Sequence, residues 1–229
     1  MSLTVVMPSY NEENIIEKVV RSFYDEISAK IDDLEFLVID SSLDNSLSIL
    51  NALKKDLPKL KVIHTPPLGH GKALLQGYKL AQKDYVFQTD SDGQFSPKDF
   101  WKLYDIKEKS GFILGYRKKR KDPASRLVLT KVIQFVNLIA FGTKIRDINC
   151  PFRLMKRELL QNLLKKIDED SMAPNILLTL QAKKDGVNVI EVPVTHFERK
   201  TGESVSGMRF FKLVSLGLAQ LIKWRFSKK

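Results

Sequence analysis

The chain is short of the residues that most often staple or bridge a fold. Its 229 residues include a single cysteine, Cys150, and three histidines. One cysteine excludes an internal disulfide framework and offers no paired-cysteine spacing for zinc, which fits a reducing compartment. Long apolar runs are also missing. A helix that spans a bilayer needs ~20 consecutive apolar residues. The nearest segment, Leu127 to Gly142, is shorter and is interrupted by Lys131, Gln134 and Asn137. It reads as an amphipathic or half-buried helix. The N-terminus runs directly from Met1-Ser2 into Leu3-Thr4-Val5-Val6-Met7, without the basic start and apolar core of a secretory leader.

Acidic residues are the other shortage. Against 27 Asp and Glu stand 38 Lys and Arg, a net charge of +11. The excess is local: Arg117-Lys118-Lys119-Arg120-Lys121 with Arg126 and Lys131, and a tail carrying Arg209, Lys212, Lys223, Arg225, Lys228 and Lys229. Basic clusters serve nucleic acid, an anionic membrane or an anionic substrate, or they are simply solvated faces.

What is present is the composition of a folded chain, 43% apolar and 28% charged, long enough for one domain spanning 1–229. The first half alternates strand and helix patterns. Strands are expected at Leu3–Met7, Glu35–Ile39, Lys61–His64 and Tyr85–Gln88, with helices at Glu12–Ile27, Ser46–Leu57 and Gly71–Gln82 between them. This alternation implies a mostly parallel, layered α/β sheet. The second half departs from that rhythm. A helix is expected at Asp99–Ser110, a strand at Gly111–Tyr116, and the amphipathic Leu127–Gly142 follows. After it come a strand at Phe152–Met155, helices at Arg157–Lys166 and Asn175–Asp185 with Gly186 as C-cap, and a strand at Val187–Val194. The final segment, Gly207–Phe226, is apolar with basic flanks.

Residues able to carry chemistry gather just past the expected strands. Thr89-Asp90-Ser91-Asp92-Gly93-Gln94 follows the fourth strand, where open α/β sheets bind ligands. Its two carboxylates are hard oxygen ligands suited to Mg²⁺ or Mn²⁺, with a diphosphate able to complete the shell. On its own the stretch is equally an ordinary turn. After the first strand, Pro8-Ser9-Tyr10-Asn11-Glu12-Glu13 offers a ring and a carboxylate to a nucleobase, while Asn11 is also suited to N-cap the next helix. After the second, Asp40 is placed to accept from a base N–H or a ribose hydroxyl, and Asp44 or Ser46 is suited to cap. In Leu68-Gly69-His70-Gly71-Lys72 the first glycine of a Walker loop would fall at Pro66, so that motif is rejected. The glycines still allow a ligand to approach a helix N-terminus, and His70 reads as structural.

These turns, in order, resemble glycosyltransferase family 2, and within it the polyprenyl-phosphate sugar synthases. The resemblance also takes in Gly115-Tyr116-Arg117, Asp147-Ile148-Asn149-Cys150-Pro151-Phe152-Arg153, Glu191-Val192-Pro193-Val194-Thr195-His196 and the following Arg199, Gly202 and Ser204. It departs from the family at Ile39, where an acid is usual, and at Cys150-Pro151, where Ser/Thr-Gly is usual. The resemblance implies a GT-A fold, a mostly parallel sheet flanked by helices. It implies a nucleotide-sugar-binding half of about 1–117, an acceptor-side half of about 118–204 and an amphipathic basic helix at about 205–229. Carried over by position, Pro8, Tyr10, Glu12 and Asp40 would hold the base, with Lys72 on the donor side. Asp90 would face the ribose or sugar and share the divalent ion with Asp92 and Gln94, while Arg117 and Arg199 would face phosphates.

The resemblance implies sugar transfer from a GDP- or UDP-sugar to a polyprenyl or dolichyl phosphate, with inversion at the anomeric carbon. A lipid phosphate is already anionic and needs no strong base. A hydroxyl acceptor on a glycan or lipid head is the alternative, and it requires one, for which Asp147 is the candidate. A salt bridge from Asp147 to Arg146 or Arg153 is the competing reading. The two apolar segments with basic flanks are expected to lie on an anionic membrane, on the cytoplasmic inner face, or else to pack on the core or in a homodimer. A nucleic-acid partner is not expected, because the Asp90/Asp92 turn repels phosphate unless a metal intervenes. Filter-binding titrations with DNA and RNA should therefore show no salt-steep affinity. A steep fall of real affinity with salt would point to phosphate-backbone binding instead.

Overall fold

The computed structural model describes residues 2–67, 69–118 and 144–198. Seven strands form one sheet: β1 (Leu3–Ser9), β2 (Leu34–Asp40), β3 (Leu60–His64), β4 (Tyr85–Gln88), β5 (Phe112–Arg117), β6 (Arg153–Lys156) and β7 (Val189–Val194), in the order β3-β2-β1-β4-β6-β5-β7. Neighbours are parallel except at β6, which runs antiparallel to both β4 and β5. β1 and β2 are buried along their whole length, as expected of parallel strands covered on both faces.

Helix α1 (Ile16–Ser28) covers one face, with Tyr24 against Phe36 at a ring distance of 6.0 Å. Helix α2 (Ser46–Leu53) lies beside it. On the same side Phe87 meets Phe23 at 6.3 Å, Phe100 at 4.9 Å and Phe152 at 4.8 Å. Tilted and edge-on rings of this kind add to the burial that holds the core. Helix α3 (His70–Leu80) takes the opposite face, its Ala73 packed on Leu37 and Ile39. Beside α3 lie α5 (Arg157–Leu164) and α6 (Pro174–Lys184). The short α4 is Phe100–Tyr104.

Strand positions follow the sequence pattern closely, and helix ends less so. The helix expected from Glu12 begins at Ile16, because Asn11 has φ 53 and backbone N–H groups of Glu12 and Glu13 are taken by the Ser46 hydroxyl and the Asp44 carboxylate. Asn11 therefore does not cap α1. The helix expected at Asp99–Ser110 is broken: a 3-10 turn at Pro97–Asp99, the five-residue α4, and a second 3-10 turn at Lys107–Lys109 that buries nothing. Its apolar face stops at Ile106, so nothing draws a third turn onto the core. Gly186, at φ 75, ends α6 as expected: its N–H donates to the Lys183 carbonyl, and that of Val187 to the Ala182 carbonyl. The expected helices at Leu127–Gly142 and Gly207–Phe226 lie outside the described residues. Among the described residues no helix is long and apolar enough to cross a membrane.

The close seating of α3 on the sheet rests on Gly77. A Cβ there would stand 2.4 Å from Val6 Cγ1 and 3.1 Å from Ile39 Cγ1. Gly77→Ala should cost about 1–3 kcal/mol through overpacking, read as a lower urea midpoint at unchanged m-value.

Candidate active site

The parallel strands end at one edge of the sheet, and a cavity of about 430 Å³ opens there. Its wall takes Pro8, Ser9, Tyr10 and Glu12 from the end of β1, Ser41 after β2, His70 and Ala73 from α3, and Asp90, Ser91 and Asp92 after β4. All four of the turns singled out in the sequence thus contribute to one wall.

The first two turns are laced together by backbone-to-side-chain bonds. The Asn11 N–H donates to Ser42 Oγ at 2.8 Å, and the Leu43 N–H to Asn11 Oδ1 at 2.8 Å. The Glu12 N–H donates to Ser46 Oγ at 3.0 Å, the Glu13 N–H to Asp44 Oδ2 at 3.1 Å, and the Asn45 N–H to Glu13 Oε2 at 3.0 Å. Burial raises the Asp44 carboxyl, but hydrogen bonds from Ser46 and Glu13 outweigh it and hold the group below its usual range. Asparagine tolerates the left-handed backbone that Asn11 adopts. This lacing fixes Tyr10, half exposed, and Glu12, buried, on the cavity wall.

Asp40 is placed differently from the expectation. It is fully buried and accepts from Ser42 Oγ at 2.6 Å, while His64 Nδ1 lies 2.8 Å from its other oxygen. It shapes the second turn from behind and does not line the cavity. Lys72 is also off the wall, paired with Asp170 at 2.7 Å. His70, read from sequence as structural, does line the cavity, with Nε2 4.0 Å from Asp90 Oδ1.

Asp90 and Asp92 present hard oxygen donors to the same space. Asp90 Oδ1 accepts from Gln88 Nε2 at 3.3 Å, and Asp92 Oδ1 from the Gln94 N–H at 3.0 Å. Gln94 turns its own amide to the Phe197 carbonyl at 3.1 Å, and so braces this turn against the segment after β7. Among the described residues no three His, Cys, Asp or Glu side chains are grouped as a metal cage. Two carboxylates beside open space fit an ion whose remaining ligands come from a substrate diphosphate and water, the usual habit of Mg²⁺. Ser9 Oγ is buried on the cavity wall with no hydrogen-bond partner among the described residues. An unpaired buried hydroxyl is a cost that a polar ligand relieves.

At the end of β5, Arg117 grips Asp147 bidentately, Nε to Oδ2 at 2.6 Å and Nη2 to Oδ1 at 2.9 Å, both side chains largely buried. The salt-bridge reading of Asp147 is met, with a partner other than the expected Arg146 or Arg153. Arg146 lies over the Tyr116 ring at 4.7 Å. Burial raises the nearby Glu191 carboxyl against the opposing Arg146 N–H. Arg199 lies outside the described residues. Arg153, expected only as a motif residue or a partner of Asp147, is fully buried. It donates to the carbonyls of Cys150 (2.6 Å from Nη2), Asn175 (3.0 Å) and Ile148 (3.4 Å) and to Thr179 Oγ1 (3.3 Å).

Residues 4–164, more than half of the chain, match the profile of "Glycosyl transferase family 2". The chain belongs to that family. An undecaprenyl-phosphate 4-deoxy-4-formamido-L-arabinose transferase of Proteus mirabilis is 27% identical over 93% of this chain and 65% of its own length. A polyprenol monophosphomannose synthase of Mycolicibacterium smegmatis is 28% identical over 93% of this chain and 86% of its own. The chain thus spans less than two thirds of the arabinose transferases it matches. Among solved structures, glucosyl-3-phosphoglycerate synthase of Mycobacterium tuberculosis with UDP superposes over 100% of this chain and 81% of its own, with TM-score 0.67 and 19% identity. The mannosyltransferase of Pyrobaculum calidifontis with GDP-Man and Mn²⁺ covers 99% of this chain and 65% of its own, with TM-score 0.69 and 23% identity. The fold is the GT-A fold of these transferases.

Burial pulls the Arg153 guanidinium down from its ordinary value, and the surrounding carbonyls compensate for lost water. Removing it strands several acceptors at once. Arg153→Leu should lose at least about 3 kcal/mol in chemical denaturation. Arg153→Lys should recover little, because one ammonium cannot reproduce the planar fork.

Proposed function

We propose that this chain is a glycosyltransferase that moves a sugar from a UDP- or GDP-linked donor to a polyprenyl phosphate at a membrane surface, with inversion at the anomeric carbon. The observation that carries the reading is the meeting of Asp90 and Asp92 with Pro8, Ser9, Tyr10 and Glu12 around one cavity. Tyr10 gives the base a ring to stack on, Glu12 and Ser9 give it hydrogen-bonding groups, and the β4 turn receives the diphosphate. The chemistry is displacement at the anomeric carbon by a phosphate oxygen, with a nucleoside diphosphate leaving. Mg²⁺ or Mn²⁺ held by Asp92 and Asp90 would neutralise charge on that leaving group. Gln94 and Asp40 act from behind the wall, as braces of the two turns. Lys72, freed from Asp170 when donor binds, and Arg199 would face phosphates.

The bidentate Arg117–Asp147 pair favours a phosphate acceptor over a hydroxyl. An Asp147 whose two oxygens are occupied by a guanidinium is poorly placed to take a proton, whereas an anionic acceptor asks only for a cationic surface. The sequence is rich in Lys and Arg at 117–121 and 209–229. Each Lys or Arg near an anionic leaflet contributes about 1 kcal/mol, which supports a peripheral position on the cytoplasmic face. A homodimer is compatible with the same surface.

The test is a panel of radiolabelled nucleotide sugars with Mg²⁺ or Mn²⁺ and a polyprenyl-phosphate extract. One donor should carry label into the organic phase, and Asp92→Ala should lower that transfer about 10²–10³-fold or more. Intact nucleotide binding with no lipid label from any donor would overturn the acceptor assignment. Full transfer by Asp92→Ala would overturn the role given to the carboxylates.

A further inference from the structure

Directly beneath Asp90 lies a buried polar group for which neither the family motifs nor the proposed chemistry has a use. Gln88 ends β4 and is fully buried. Its neighbour Phe87 points into the aromatic cluster on the α1 side, so Gln88 points the other way, toward α3 and α6. There Oε1 receives Asn175 Nδ2 at 3.1 Å and the Tyr78 hydroxyl at 3.0 Å, and Nε2 donates to Asp90 Oδ1 at 3.3 Å. Tyr78 and Asn175 are themselves buried. Burial raises the Tyr78 phenol, so it keeps its proton.

This arrangement fixes which way the amide faces. Reversed, its nitrogen would meet the Asn175 amide nitrogen and its oxygen would meet a carboxylate oxygen, two repulsive contacts in a medium of low dielectric. Asn175 is anchored in turn: its backbone carbonyl accepts from Arg153 Nη1 and from Thr179 Oγ1, and its side-chain Oδ1 lies 3.0 Å from the same Tyr78 hydroxyl. We propose that Gln88 is a positioning residue for Asp90: its amide, locked from behind by Tyr78 and Asn175, aims that carboxylate at the cavity where a diphosphate-bound divalent ion would sit. The inference rests on the reading of Asp90 and Asp92 as the ion site. Groups that orient a metal ligand typically change affinity about 10–100-fold when lost.

The test measures Mn²⁺ binding directly, by electron paramagnetic resonance of free Mn²⁺ titrated with the full chain and UDP or GDP, beside thermal unfolding. Gln88→Met should weaken nucleotide-dependent Mn²⁺ binding about tenfold, and Gln88→Glu, which sets a second carboxylate against Asp90, should weaken it as much or more. Nucleotide binding without metal should be unchanged, a split that general loosening of the core would not give. Wild-type Mn²⁺ affinity in a folded Gln88→Met chain overturns the proposal. If the Gln88 variants do not fold, Tyr78→Phe decides: about threefold weaker Mn²⁺ binding supports the lock, and unchanged binding overturns it. A wild-type chain that binds no Mn²⁺ with either nucleotide, or an Asp92→Ala chain that binds it fully, overturns the ion site itself.

Discussion

Arg153 cannot be buried without being surrounded. A guanidinium taken wholly out of water is tolerated only if hydrogen-bond acceptors replace the water, and here they arrive from two directions. The loop before β6 gives the carbonyls of Ile148 and Cys150, and α6 gives the carbonyl of Asn175 and the hydroxyl of Thr179. Arg153 is also the register partner of Gln88 on β4 and of Leu114 on β5. The one reversed strand therefore stitches the parallel half of the sheet to the second half at the level of the site. On one side of Arg153 the chain leads through Asn175 and Gln88 to Asp90; on the other, the Cys150 N–H returns to the Asp147 carbonyl beside Arg117. The β4 turn and the Arg117–Asp147 pair share one buried polar frame.

The lacing of the first two turns plays the same part at the ends of β1 and β2. A parallel sheet delivers its strand ends to one edge, but it does not by itself fix the loops that leave them. Ser42, Asp44 and Ser46 do so by accepting backbone N–H groups of Asn11, Glu12 and Glu13, and the side chains of Asn11 and Glu13 return the favour. Binding groups held this way need little reordering when a ligand arrives, which reduces the entropic cost of binding.

The strands were legible because two-sided burial leaves an unmistakable apolar signature: β4 was found to the residue, and β1 and β2 to within two residues at their ends. The carboxylate turn was legible because it follows such a strand. Helix starts were not, since the start of α1 depends on Ser46 and Asp44, more than thirty positions along the chain. The same limit hid the pairing of Arg117 with Asp147 across a similar span, and it hid the burial of Asp40, whose partner His64 lies on the next strand. Gln88 reads as the ordinary polar end of a short strand, and Arg153 as a motif residue able to pair with Asp147. Only the neighbours that fold around them reveal that both are interior. His70 lines the cavity because Gly69, at φ 85, turns the chain into α3 at that point.

The carboxyl edge of the sheet is proposed as a donor site whose ion is held by the β4 turn. This assignment is tested most directly by crystals of the chain grown with Mn²⁺ and UDP or GDP, with the manganese located by anomalous scattering. One strong peak should bridge the Asp92 carboxylate and the diphosphate, with Asp90 beside it and the base against Tyr10 and Glu12. A nucleotide bound elsewhere, or manganese away from both carboxylates, would contradict it.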